Sequence, residues 1–189
     1  PKPVEDPAAR LHLREDAQAG SRDPADWVTY GHAFPARGGG VLLPYWVFYA
    51  FNDAHGLFDH QGDWEHITVK LGPSLEPEGS WYARHADCHP GVWLAWPAVS
   101  REGDHPVVLS ARGTHASFAS PDEVPAWESA CGSTWPAAAA AGGCAVWRTW
   151  AEGTGGVVNV GERSAPRLPF VAWPGRWALS AFFWRSEPV

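Results

Sequence analysis

From residue 60 to residue 71 the chain reads His-Gln-Gly-Asp-Trp-Glu-His-Ile-Thr-Val-Lys-Leu. The second half of this stretch alternates as a strand does. On a strand, residues two apart share a face, so Asp63 and Glu65 point the same way as Ile67, Val69 and Leu71 and sit roughly 7 Å apart. Ionised carboxylates on a face meant for the core are costly unless they are paired, protonated or coordinated. Three arrangements would make them tolerable. In the first, Asp53, Asp63 and Glu65 give oxygen ligands to a hard divalent cation, and His60 adds a nitrogen or a hydrogen bond to a bound water. That donor set suits Ca²⁺ or Mg²⁺ first and Mn²⁺ next. In the second, His60, one carboxylate and a distant histidine such as His115 hold Zn²⁺. In the third, the acids are structural, capped at the strand's start by loop amides or by an arginine such as Arg112. Without a metal, Asp63 and Glu65 could also act as an acid/base pair, with burial raising one of the two pKa values. Spacing alone leaves all of these open, because a lone HxxDxE is a weak pattern.

The remaining histidines divide by position. His115, in "RGTHASF", follows a strand and a glycine turn, where loops gather at one end of a sheet; it is either an idle loop residue or part of the site. His85 and His105 flank strands and are expected to be idle or to pack on tryptophan. His66 falls on the face opposite the carboxylates and is left outside the site. His55 lies in a loop. A serine nucleophile motif of the G-x-S-x-G kind is absent, and Cys88 has no diagnostic context.

The elements that must carry these residues are short strands. The 189 residues suffice for one domain with a substantial core, and 13 tryptophans beside 18 prolines and 20 glycines favour strands and structured loops over helices. Residues 1–26, polar and proline-punctuated, read as an extended arm; residues 27–189 read as one domain. "GVLLPYWVFYAFN" is apolar on both alternating faces, which predicts a central strand covered on both sides. "WVTYGHAF", "DWEHITVKLG", "WYARHA", "GVWLAWPAV", "HPVVLSARG", "AVWRTWA", "VVNVG" and "RWALSAFFW" supply further strands. Only "PDEVPAWESACG" and the alanine run at 137–141 have helical character, and both are short. The fold class expected is all-β: a single antiparallel β-sandwich with long Gly/Pro-rich loops and few short helices.

Charge and chain composition narrow the partners. Net charge is -7 without a basic run, which argues against a nucleic-acid interface. No window is long and apolar enough for a transmembrane helix. The chain has no methionine, so position 1 is not a translation start. Removal of a leader by a secretion pathway is the reading taken forward, giving a secreted or cell-surface location with a cytoplasmic one left open. Of the three cysteines, Cys131 and Cys144 bracket a small-residue loop and are expected to form a disulfide, leaving Cys88 free.

These residues also resemble a known family. "YWVFYAFND", "HQGDWEHITVKL", "YARH", "HPVVLSARGTHASF" and "PGRW" are similar to the bacterial Vps62-like proteins, whose marks are a YWxFYxxN strand, an HxGDWE turn-strand and an HPVVYxAxGSHA strand-turn. His60 through Glu65 match the second mark fully, and Thr114 stands where the third usually has Ser. The resemblance runs over about residues 27–185. A more distant likeness is to NPP1-like necrosis-inducing proteins, secreted β-sandwich cytolysins with a GHRHDWE heptapeptide. His60, Asp63, Trp64 and Glu65 match it, whereas Asp59, Gln61 and Gly62 depart from it. In those proteins the matching side chains and an upstream acid, here Asp53, surround a divalent cation. The likeness therefore implies a cation at Asp53, His60, Asp63 and Glu65, with His115 lining the site as a ligand or a general base.

The function expected on these grounds is a cation-centred pocket that engages a polar ligand such as a lipid or sugar head group, with Trp93 and Trp96 available at a membrane interface. One alternative is a hydrolase-type enzyme using His60, Asp63, Glu65 and His115, with His115 and Glu65 as the catalytic pair. The other is a structural domain stapled by calcium.

Overall fold

The alternation of apolar residues along 41–52 and 60–71 produces two long strands, and the rest of the fold is assembled on that pair. In the computed structural model, which describes residues 13–53, 59–85, 91–125, 147–161, 168 and 170, the chain enters through 3₁₀ turns at Glu15–Ala17 and Pro24–Asp26. Strands β1 (Thr29–Gly31) and β2 (Phe34–Pro35) lead into β3 (Val41–Asn52) and β4 (His60–Leu71). Then come β5 (Pro77–Tyr82), β6 (Val92–Ala95), β7 (Arg101–Glu102), β8 (His105–Pro106), β9 (Leu109–Ser110), β10 (Ser117–Phe118) and, late in the chain, β11 (Val157–Asn159).

The main sheet has seven strands in the order β11-β1-β3-β4-β5-β6, with β2 also on β3. β3 and β4 run antiparallel from Val41 opposite Leu71 to Asn52 opposite His60. β1 is the exception to antiparallel pairing, because β11 lies beside it in parallel. Pro44 is tolerated inside a long strand because β3's other flank is interrupted there: β1 pairs with Tyr45 to Val47 and β2 with Val41 and Leu42. A proline has no N–H to offer a ladder.

The two faces of the β3–β4 pair differ. On one, Tyr45, Val47 and Tyr49 lie opposite Ile67, Glu65 and Asp63. Towards the strands' middle this face is core. Ile67, Tyr82 and Ala119 are buried together, with Tyr45, Val92 and Leu94 packed around them. The β9–β10 hairpin covers it, bringing its own cluster of Leu109, Ala111, Ala116 and Phe118. Main-chain bonds anchor the cover: Ser117 N donates to Ala83 O at 3.0 Å, and Ala83 N donates to His66 O at 3.2 Å. Tyr82, fully buried, donates from its hydroxyl to Val107 O at 3.2 Å. The opposite face is aromatic. Trp46 stacks on His66 at 4.0 Å, and Trp64 meets Phe48 and Tyr30 at ring separations of 5.0 and 5.6 Å.

The architecture is all-β, as expected, with no helix longer than a 3₁₀ turn among the described residues. Two strand expectations need correction. "HPVVLSARG" is divided between two hairpins: His105–Pro106 pairs with Arg101–Glu102, with Val107 N bonding Ser100 O at 2.8 Å beside them, and Leu109–Ser110 pairs with Ser117–Phe118. The described part of "AVWRTWA" is a turn around residues 149–152, not a strand. His105 does pack on tryptophan, its ring 3.7 Å from that of Trp150. Cys88, Cys131 and Cys144, with the expected disulfide, lie outside the described residues, as do the alanine run, "PGRW" and "RWALSAFFW".

Candidate functional site: a buried aspartate between two histidines

Asp63 is 9% exposed and faces the covered side of the sheet near its end. Its two oxygens meet two histidines. Oδ2 lies 3.0 Å from His115 Nδ1, and Oδ1 lies 3.5 Å from His60 Nε2. With the carboxyl ionised, the His115 Nδ1–H donates and the carboxylate accepts. Burial pushes the Asp63 carboxyl up, but hydrogen bonds from His115 and His60, together with their charge, outweigh it and hold the group below the ordinary aspartate value. Two histidines thus fill the place where a capping arginine was one expectation; Arg112 is exposed.

Each partner arrives by a different device. His60 is three residues before Asp63, a separation that a regular strand puts on opposite faces. Gly62 between them has φ +75°, which interrupts the alternation so that the two side chains meet. His115 comes from the turn between β9 and β10 and itself has φ +59°, the left-handed region that non-glycine residues seldom occupy. Its turn is closed by His115 N donating to Ala111 O and Ala111 N to Ala116 O, both at 3.0 Å. Gly113, with φ +92°, lets this turn press on the end of β3. Asp53 N donates to Gly113 O at 3.0 Å, and a Cβ on Gly113 would stand 2.4 Å from Asp53 O.

Sequence reasoning missed two residues here. Tyr49, directly across from Asp63, stacks on the His115 ring with centroids 3.9 Å apart and planes within 5°. Its hydroxyl donates to Ser110 Oγ at 3.1 Å, and Ser110 Oγ donates to His115 O at 3.3 Å. Burial pushes the Tyr49 phenol up against the lowering effect of the Ser110 bond, and the charges of Glu65 and Asp63 raise it further. Cross-strand register would have found Tyr49, once β3 and β4 were paired. The other is Thr114, 6% exposed, whose Oγ1 has no hydrogen-bond partner among the described residues.

Of the residues singled out by sequence, the structure therefore joins His60, Asp63 and His115 in one hydrogen-bonded group. Glu65 occupies the next position on the same face, opposite Val47 and half-buried. Asp53 is exposed at the end of β3, tied by its main chain to the His115 turn. Among the described residues, no group of three or more His, Cys, Asp or Glu side chains is arranged to hold a metal ion. The nitrogen of His115 not engaged by Asp63 is Nε2, and the His115 side chain keeps 16% exposure. Trp93 is 43% exposed on β6, whereas Trp96 is half-buried with the Arg101 guanidinium 4.7 Å above its ring. No helix among the described residues is long and apolar enough to cross a membrane.

The chain is 32% identical over 111 aligned residues to a Saccharomyces cerevisiae (strain ATCC 204508 / S288c) protein named "Putative vacuolar protein sorting-associated protein TDA6". The alignment takes in 44% of this chain and 22% of the yeast protein, so the chain spans less than a quarter of that relative's length. This supports a distant Vps62-like relationship. No family profile matches the chain, and no solved structure matches it.

Proposed function

We propose that this site performs acid–base chemistry on a polar ligand, with His115 as the proton carrier and Asp63 as the group that orients it. One observation carries the reading: a buried aspartate held below its ordinary pKa, 3.0 Å from Nδ1 of a histidine whose side chain is 16% exposed. A carboxylate on Nδ1 fixes the tautomer with the lone pair on Nε2, and it stabilises the imidazolium formed when Nε2 takes a proton. Hydrolysis suits this arrangement. Nε2 removes a proton from a water as its oxygen attacks an ester or phosphoester centre, then returns that proton to the leaving oxygen. His60 shares the carboxylate and adds positive character beside it.

A second reading is supported by the chemistry of the donors. A carboxylate behind a histidine is also the arrangement that steadies a metal-ligating imidazole. Glu65 shares the face with Asp63, and both raise the Tyr49 phenol. In this reading Asp53, His60, Asp63 and Glu65 would hold a divalent cation, with His115 lining the site as a further ligand. The cation would attract the oxygens of a lipid or sugar head group. The finer kinship, to bacterial Vps62-like and NPP1-like proteins, and a secreted location belong with that proposal.

The test is turnover of aryl ester and phosphoester substrates by wild type and His115→Ala, with folding checked by circular dichroism. The acid–base reading expects activity that falls about 10²–10⁴-fold in the variant. Activity indifferent to His115, or none across the panel, contradicts it. If Ca²⁺, Mg²⁺, Mn²⁺ or Zn²⁺ raises the melting temperature and a chelator reverses the rise, the cation reading gains.

A further inference from the structure

We propose that Tyr49 is a positioning residue of this site: its ring holds the His115 imidazole face-on in the orientation that directs Nδ1 at Asp63. The inference rests on the acid–base reading above and adds a residue that reading does not require.

The geometry is specific. Tyr49 and Asp63 are directly opposed on β3 and β4, so their side chains leave the same face side by side. His115 is brought over this pair from a different element, on a left-handed turn residue that its own backbone does not favour. A lone hydrogen bond to Asp63 would fix one ring nitrogen and leave the imidazole plane free to swing about it. The Tyr49 ring removes that freedom, lying parallel to the imidazole within 5° at 3.9 Å. The chain Tyr49 Oη to Ser110 Oγ to His115 O, at 3.1 and 3.3 Å, ties the clamp to the main chain of the residue it holds. Plane and nitrogen are then both set, the pre-organisation a proton carrier needs.

The aromatic face does the holding, so Tyr49→Phe and Tyr49→Leu separate its parts. Nitrogen-15 NMR of the His115 ring reports which nitrogen carries the proton. Wild type and Tyr49→Phe are expected to show the Nδ1–H tautomer, and folded Tyr49→Leu a mixture of both. In turnover, Tyr49→Leu is expected to lower kcat about 10–100-fold with KM unchanged, the signature of lost alignment. Tyr49→Ile, equally non-aromatic and well suited to a strand, serves where the leucine variant fails to fold. A folded non-aromatic variant that retains a pure Nδ1–H tautomer and wild-type kcat overturns the proposal. A wild-type protein in which His115 carries its proton on Nε2 overturns the acid–base reading first and this proposal with it.

Discussion

Thr114 and Asp63 are both buried and differ in how their polar atoms are satisfied. The Thr114 hydroxyl is buried with no partner among the described residues, so it contributes a desolvation cost without a bond in return. Thr114→Val, nearly the same shape, is expected to leave the melting temperature unchanged or to raise stability by up to about 1 kcal/mol. A clear loss of stability would show that the hydroxyl has a partner. Asp63 is the opposite case, with an oxygen on each of two histidines. Asp63→Asn removes hydrogen bonds to a charged group and is expected to cost about 1.5–3 kcal/mol at neutral pH, read by urea denaturation. Its pH dependence has a definite sign. The folded carboxyl lies below its ordinary value of 3.8, so the unfolded chain takes up the proton more readily. The stabilisation is complete above the unfolded value and is lost as pH falls through the folded one. Melting temperatures measured down this acid range should fall less in Asp63→Asn than in wild type.

At the scale of elements, the site exists because a strand and a turn are locked together. Gly113 is the contact point: φ +92° and a Cβ position 2.4 Å from Asp53 O leave room for glycine alone. Gly113→Ala is expected to cost about 1–3 kcal/mol from backbone strain, with more from the clash, and to loosen the His115 ring from Asp63. Chemical denaturation and the His115 ring resonances check the two effects. A variant as stable as wild type would mean that the turn and the strand end are not coupled. The two long strands and their faces were legible in sequence. The alternation of residues 63–71 put both acids on the Ile67 face, and the doubly apolar run over 41–52 marked a central strand, as found. His60's meeting with Asp63 was suggested by the motif but not by strand geometry, which needs the positive φ at Gly62 to permit it. Tyr49 was hidden for another reason. Its importance depends on register, and register appears only when the two strands are paired. The division of "HPVVLSARG" was invisible because its two halves pair with different segments, residues 101–102 and 117–118, and the run itself does not reveal them.

At the scale of the molecule, the covered face of the sheet is core around Ile67 and Tyr82 and carries Asp63 and Glu65 where it meets the His115 turn. Tyr82 shows how the cover is fastened, being wholly buried with its hydroxyl on Val107 O in the segment ahead of β9. Tyr82→Phe is expected to lose about 0.5–1.5 kcal/mol, and Tyr82→Ala about 3–5 kcal/mol through the cavity it leaves. Equilibrium unfolding of the pair separates the hydrogen bond from the packing, and equal losses would contradict the assignment. This division of labour explains why strand patterning revealed the fold class, whereas His115 was drawn to the acids by its motif and not by patterning. Strand patterning declares a buried face, whereas the partner of a buried acid comes from a turn some fifty positions away in sequence (Asp63 and His115 are 52 apart). At this end of the sheet one buried carboxylate lies against two histidines that hold it below the ordinary aspartate value. Titration of the Asp63 carboxyl carbon by carbon-13 NMR tests that claim most directly. The predicted result is a midpoint below 3.8 in wild type that moves upward in His115→Ala, where burial remains and the donor is gone. A wild-type midpoint at or above 3.8 would contradict the account.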